Sequence, residues 1–176
     1  MKRKIKNIGC LLLALAILPI LGGCNDEDDV IDIFTGKTWK LSFIASEGSY
    51  QQYNFWGDKG MNNQNPAYVS SMTALAQDGT FTLTFTGSDL VNNSTGGSFS
   101  GKAITANVSG TWKADGATNS LNISVEGNPT EKSDVLGAAF ISGLRNATKY
   151  QGDKNNLFIY YEEGQRTFFL GLKPQK

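Results

Sequence analysis

Thr80-Phe81-Thr82-Leu83-Thr84-Phe85-Thr86 places Phe81, Leu83 and Phe85 on one side of the chain and the threonines on the other. Alternation of this kind is the pattern of a half-buried strand, and β-branched Thr and aromatic Phe both suit a pleated surface. The turn pair Asp78-Gly79 stands immediately before it. This stretch makes β structure the frame within which the rest of the chain is read.

Working toward the C-terminus, residues 87–97 are rich in Asn, Ser and Gly and read as a loop. Three further strands are expected at spacings of about ten residues, over 98–106, 108–113 and 120–126, as in an antiparallel meander. In the last of these Leu121, Ile123 and Val125 alternate with Asn122 and Ser124. Residues 133–150 then change period. Leu136, Phe140, Leu144 and Ala147 recur at helical spacing, Ser133 and Asp134 can cap the start, and Arg145 and Lys149 suit the negative end of the dipole. Two strands, 156–161 and 166–172, close the chain around Glu162-Glu163-Gly164-Gln165, which reads as a tight hairpin.

Toward the N-terminus, residues 66–77 can hold a short helix opened by Pro66. Residues 45–67 have no period, and mix Tyr50, Tyr53, Phe55 and Trp56 with glycines and asparagines. Residues 36–44 form the first core strand, with Trp39, Leu41 and Phe43 on one face. The expected fold is therefore mainly β with one clear helix: an antiparallel sheet or partly open barrel of about seven to eight strands, the helix inserted before a C-terminal hairpin.

The first 23 residues stand apart. Lys2, Arg3, Lys4 and Lys6 precede an apolar run from Ile8 to Leu21, interrupted by Pro19, which is too short to span a bilayer as a permanent helix and has the layout of an export signal. Its end, Leu21-Gly22-Gly23-Cys24, resembles the lipobox of bacterial lipoproteins. That resemblance implies diacylation of the Cys24 thiol, cleavage before Cys24 and attachment to a membrane. The acidic block Asp26, Glu27, Asp28, Asp29 and Asp32 repels itself and reads as a solvated tether. It is similar to the acidic segment that sends lipoproteins of the Bacteroidetes lineage to the outer face of the outer membrane. The expected organisation is a signal peptide over 1–23, an acidic tether over 24–33 and one domain over 34–176.

Composition narrows the function. The chain has 16 basic and 16 acidic side chains, no histidine and two cysteines. Cys10 lies within the export signal, so Cys24 is the sole cysteine of the processed chain and no disulfide framework is available. Without histidine, Ser-His-Asp and Cys-His catalysis and His-ligated zinc are excluded. The domain carries no basic stripe for nucleic acid. Glu162 and Glu163 are adjacent, so on a strand they face opposite ways and do not flank one glycosidic bond. No enzymatic activity, metal or cofactor is expected, and the domain is expected to be monomeric.

Gly36 and Trp39 in the first strand, Gly110-Thr111-Trp112, the helix with Phe140 and Leu144, and Tyr150-Gln151-Gly152-Asp153 before Leu157-Phe158-Ile159-Tyr160 follow an order that resembles the META domain. That family includes an outer-membrane lipoprotein and implies no catalytic residues. The chain departs from it where Gly101-Lys102-Ala103 replaces a cysteine-containing segment. Gly110-Thr111-Trp112 also has the Gly-x-Trp spacing of lipocalin-like barrels, which implies a barrel mouth able to hold a small apolar ligand. The plain alternative is that Trp39 and Trp112 fill the sheet core.

Cys24 is thus the candidate lipid-attachment residue. Tyr50, Tyr53, Phe55 and Trp56 are the candidate ligand-binding residues, their rings suited to stacking on sugars, with packing over an open end of the sheet as the alternative. The expected role is a non-enzymatic outer-membrane lipoprotein facing the cell surface, either a structural or protein-interaction module or a binder of a glycan or small apolar ligand.

Overall fold

The computed structural model describes residues 27–89 and 94–175. Cys24 and the expected signal peptide lie outside the described residues. Eight strands form a closed antiparallel barrel in which each strand pairs with its neighbours in sequence and β1 with β8. They are β1 Thr38–Ser46, β2 Thr82–Asp89, β3 Ser94–Lys102, β4 Asn107–Asp115, β5 Ser120–Val125, β6 Ala147–Gly152, β7 Leu157–Glu163 and β8 Arg166–Pro174. Closure leaves no exposed sheet edge. The mainly β architecture expected from the alternating stretches is present.

Among the described residues three α-helices accompany the barrel: α1 Glu27–Phe34, α2 Pro66–Ala76 and α3 Val135–Arg145. α2 begins at Pro66 as its sequence suggests, with the Asn65 side chain accepting from the Ala67 amide.

Four expectations are corrected. The acidic tether over 24–33 is replaced by α1 from Glu27 onward. Val30, Ile33 and Phe34 fall at i, i+3 and i+4, and all three are buried. The loop expected over 87–97 is mostly strand, β2 continuing to Asp89 and β3 starting at Ser94. The glycines here serve close strand approach, for a Cβ on Gly97 would meet the Thr86 carbonyl oxygen at 2.1 Å. The helix expected over 133–150 ends at Arg145, and Ala147 opens β6, where Tyr150 pairs with Ile159. Finally, Phe43 does not share a face with Trp39 and Leu41. The β1–β8 register shifts between Leu41 and Phe43, and this bulge reverses the phase of alternation.

The barrel interior is filled by side chains. The two ends differ in how they close. At one, α1 inserts Phe34, whose ring stacks on Trp112 at 4.7 Å and meets Phe85 and Tyr150 edge-on at 5.1 and 5.0 Å. Trp39 Nε1 donates to the Phe34 carbonyl. At the other end the long β1–β2 and β5–β6 connections carry α2 and α3, and Phe140 of α3 packs on Phe81 at 5.7 Å. Trp39 and Trp112 are buried, so they are core side chains.

Candidate functional site

The four aromatic residues of the β1–β2 connection do not form one platform. Trp56 is only 8% exposed, and its Nε1 donates to the Ser71 hydroxyl, which in turn donates to Asp134. Asp134 also caps α3 by accepting from the Gly137 amide. Trp56 therefore ties the connection to α2 and α3. Tyr53 and Phe55 are half-buried and lie over Phe168, with Arg166 donating to the Tyr53 hydroxyl at 2.6 Å. These three residues follow the packing alternative. Tyr50, at 75% exposure, turns the other way, onto the outer wall of the barrel.

That wall carries an aromatic strip separate from the interior cluster, built over the buried Phe169. Phe169 of β8 is its hub, with Phe43, Phe158, Tyr160 and Tyr50 around it at 5.8, 5.6, 5.3 and 5.8 Å. The register explains the arrangement. Ala45, Phe169 and Tyr160 form one row across β1, β8 and β7, and Phe43, Gly171 and Phe158 the next. Gly171 leaves a gap into which the Phe43 ring leans, since a Cβ there would sit 2.7 Å from it. Between Phe43, Tyr50 and Phe158 remains a cleft of about 210 Å³. Ser42, the residue at the bulge, Asn156 and Lys173 supply its polar rim.

Two lysines meet at the lower edge of this strip. Lys40 and Lys173 are register partners across β1 and β8, a pairing of like charges that is unfavourable by itself. Lys40 is occupied, donating to the Gln77 and Thr80 carbonyls after α2. Desolvation pulls its pKa down, against the pull of nearby Asp78. Lys173 has no carboxylate partner among the described residues, where the ion pair formed is Lys154 with Asp32 at 3.1 Å. The strip was not legible from the candidate loop; the Phe-x-Tyr and Phe-Leu-Gly spacings in β7 and β8 were its only trace.

The most enclosed carboxylate is structural. Glu131, 5% exposed, accepts from the Thr105 and Ala106 amides and from the Thr105 and Ser133 hydroxyls. Burial pushes its pKa up, but these hydrogen bonds outweigh it and bring the group down to about 2. Every strong acceptor direction is already used in holding the β3–β4 turn against the start of α3. Among the described residues, two buried hydroxyls, of Tyr150 and Tyr161, lack a hydrogen-bond partner, and burial raises both pKa values. They sit among core rings, Tyr150 against Phe34 and Tyr161 stacked on Phe168 at 5.6 Å. With Phe34 in its floor, the barrel has its lumen occupied where the lipocalin resemblance implied a ligand.

Comparison with known proteins agrees on the fold. A crystal structure of a DUF4847 family protein from Bacteroides vulgatus ATCC 8482 is similar at 25% identity, with a TM-score of 0.58, covering 84% of this chain and 99% of that one. No functionally curated protein matches. The sequence profile of one family, described as a domain of unknown function, matches residues 25–174. The chain belongs to the DUF4847 family.

Proposed function

We propose that this protein is a lipid-anchored, non-catalytic binding module of the outer membrane, attached through Cys24, facing the cell surface and recognising a glycan with its outer aromatic strip. The carrying observation is that strip: Tyr50, 75% exposed, stands beside Phe43 and Phe158 over a cleft, on the outer face of the barrel wall. Tyr50 is the one fully exposed ring of the strip, and the half-buried Phe43, Phe158 and Tyr160 extend it as an apolar surface of the kind that marks interaction sites. Ring faces suit the C–H faces of sugars, and the Ser42, Asn156 and Lys173 rim suits their hydroxyls. The anchor reading is supported by the lipobox-like Leu21-Gly22-Gly23-Cys24 and by a family match that starts at the next residue. The resemblance to META-domain lipoproteins agrees with such a role and adds no residue to the site.

An envelope protein is the second reading, favoured by the Tyr and Phe composition of the strip, which is enriched at protein interfaces. The test has two arms. Cys24→Ala is expected to move the protein from the membrane to the soluble fraction, and retention in the membrane overturns the anchor. A glycan array probed with residues 25–176, the whole closed barrel with its α1, is expected to give hits that Tyr50→Ala abolishes. A blank array refutes the glycan and leaves the protein partner.

A further inference from the structure

The geometry points to a specific ligand class for the outer cleft: an acidic saccharide, with a sugar ring against Phe43, Tyr50 and Phe158 and its carboxylate on Lys173. This rests on the reading of the strip as the recognition surface and adds the charge of what it recognises. Three observations carry it.

The first is the pairing of Lys40 with Lys173 across β1 and β8. Two outward ammonium groups in directly opposed positions repel each other. A strand pair selected for stability alone would place a carboxylate opposite one of them. Lys40 is withdrawn onto the Gln77 and Thr80 carbonyls, with Asp78 at longer range. Lys173 stands at the rim of the cleft with no carboxylate partner among the described residues.

The second is the set of unused polar groups facing the same gap. Ser42 and Tyr50 line the cleft, and their hydroxyls make no hydrogen bond among the described residues. They flank apolar walls formed by the Phe43 and Phe158 rings. A pyranose presents this alternation, an apolar face edged by hydroxyls. A fatty chain would leave the rim unpaired, and a small inorganic anion would leave the rings unused.

The third is how the gap is made. The register shift after Leu41 brings Phe43 outward and adds Ser42 to the rim, while Gly171, buried and without a side chain, seats the Phe43 ring as one wall of the gap. A bulge that re-aims a side chain is a recurrent device beside functional sites.

The test is calorimetric titration of residues 25–176 with trigalacturonate and with its neutral counterpart galactotriose, at low and at physiological salt. Trigalacturonate is expected to bind at least about tenfold more tightly, with the difference shrinking as salt rises. Lys173→Met is expected to weaken trigalacturonate by about tenfold or more and to leave galactotriose unchanged. Tyr50→Ala should weaken both. Lys173 and Tyr50 are exposed, so both variants are expected to keep the wild-type melting temperature, which thermal unfolding checks. Equal binding of the two sugars, both lost in Tyr50→Ala, overturns the acidic ligand and leaves the recognition strip standing. No binding of trigalacturonate, or binding indifferent to both substitutions, overturns the proposal.

Discussion

Phe34 and Phe169 are each the hub of an aromatic cluster, and the barrel wall stands between them. Around Phe34 the ring distances run from 4.7 to 5.1 Å; around Phe169 they run from 5.3 to 5.8 Å. By contact geometry both are ordinary aromatic clusters. They differ in what lies on the far side. Both hubs are buried, Phe34 fully and Phe169 at 2% exposure, but Phe85, Trp112 and Tyr150 are enclosed by the barrel, whereas Tyr50 is 75% exposed and Phe43, Phe158 and Tyr160 are half-buried. Ring contacts therefore do not distinguish a cluster that holds the fold from one that offers a surface. Exposure and neighbouring charge do.

The strongest way to break this comparison is from the inside. Phe34→Ala removes the ring that joins Trp112, Phe85 and Tyr150, and is expected to destabilise the protein by about 3–5 kcal/mol. For a chain of this size that lowers the melting temperature by roughly 10 °C. A loss below about 1 kcal/mol would make α1 an appendage rather than the floor of the barrel.

This α1 floor is also where sequence reading failed most instructively. The block Glu27-Asp28-Asp29 masks an apolar triplet of a single turn, Val30, Ile33 and Phe34, too short to register as a period. By contrast, the alternation in Phe81, Leu83 and Phe85 and the spacing of Leu136, Phe140 and Leu144 were legible because each pattern spans several repeats with one buried face. The outer strip escaped for the opposite reason. In β7, Leu157, Ile159 and Tyr161 face the core while Phe158 and Tyr160 face out, so both faces are apolar and alternation carries no contrast. Trp56 looked like its neighbour Tyr50 in sequence. Only the Ser71 and Asp134 partners, far along the chain, separate a tie from a platform.

A second effect of intermediate size concerns the end of the barrel opposite α1. Gly143 lets α3 approach β7 and β8, and a Cβ there would meet the Tyr161 ring at 3.0 Å and Leu170 at 2.9 Å. Gly143→Ala is expected to cost about 1–3 kcal/mol by overpacking, measured by urea unfolding. A stabilised variant would show that helix propensity outweighs that contact.

Glu131 adds a pH dependence at the same end. Burial pushes its pKa up, but the stronger pull of its hydrogen bonds sets it at about 2, against an ordinary 4.5. A folded pKa below the unfolded one means the stabilisation is complete above about pH 4.5 and is lost as pH falls toward 2. Glu131→Gln is expected to cost about 1–3 kcal/mol at pH 7 and to converge with the parent near pH 2. Asp115 and Asp153, also lowered by backbone hydrogen bonds, leave the variant with a residual acid slope. Parallel melting curves from pH 7 to 2 would contradict the role assigned to Glu131.

The smallest effect on stability is expected where the effect on recognition is largest. Tyr50 touches Phe158 and Phe169 only at its edges, at 6.3 and 5.8 Å, and most of its surface is already in water. Tyr50→Ala should change stability by no more than about 0.5 kcal/mol, as exposed substitutions do. If it costs more than about 1.5 kcal/mol, Tyr50 is the cover of Phe169, and the outer cluster is an extension of the core across the wall. If it costs nothing, the fold gains nothing by keeping a tyrosine over Phe169, near a lysine with no carboxylate partner among the described residues. Its place there then has to be explained by what binds it.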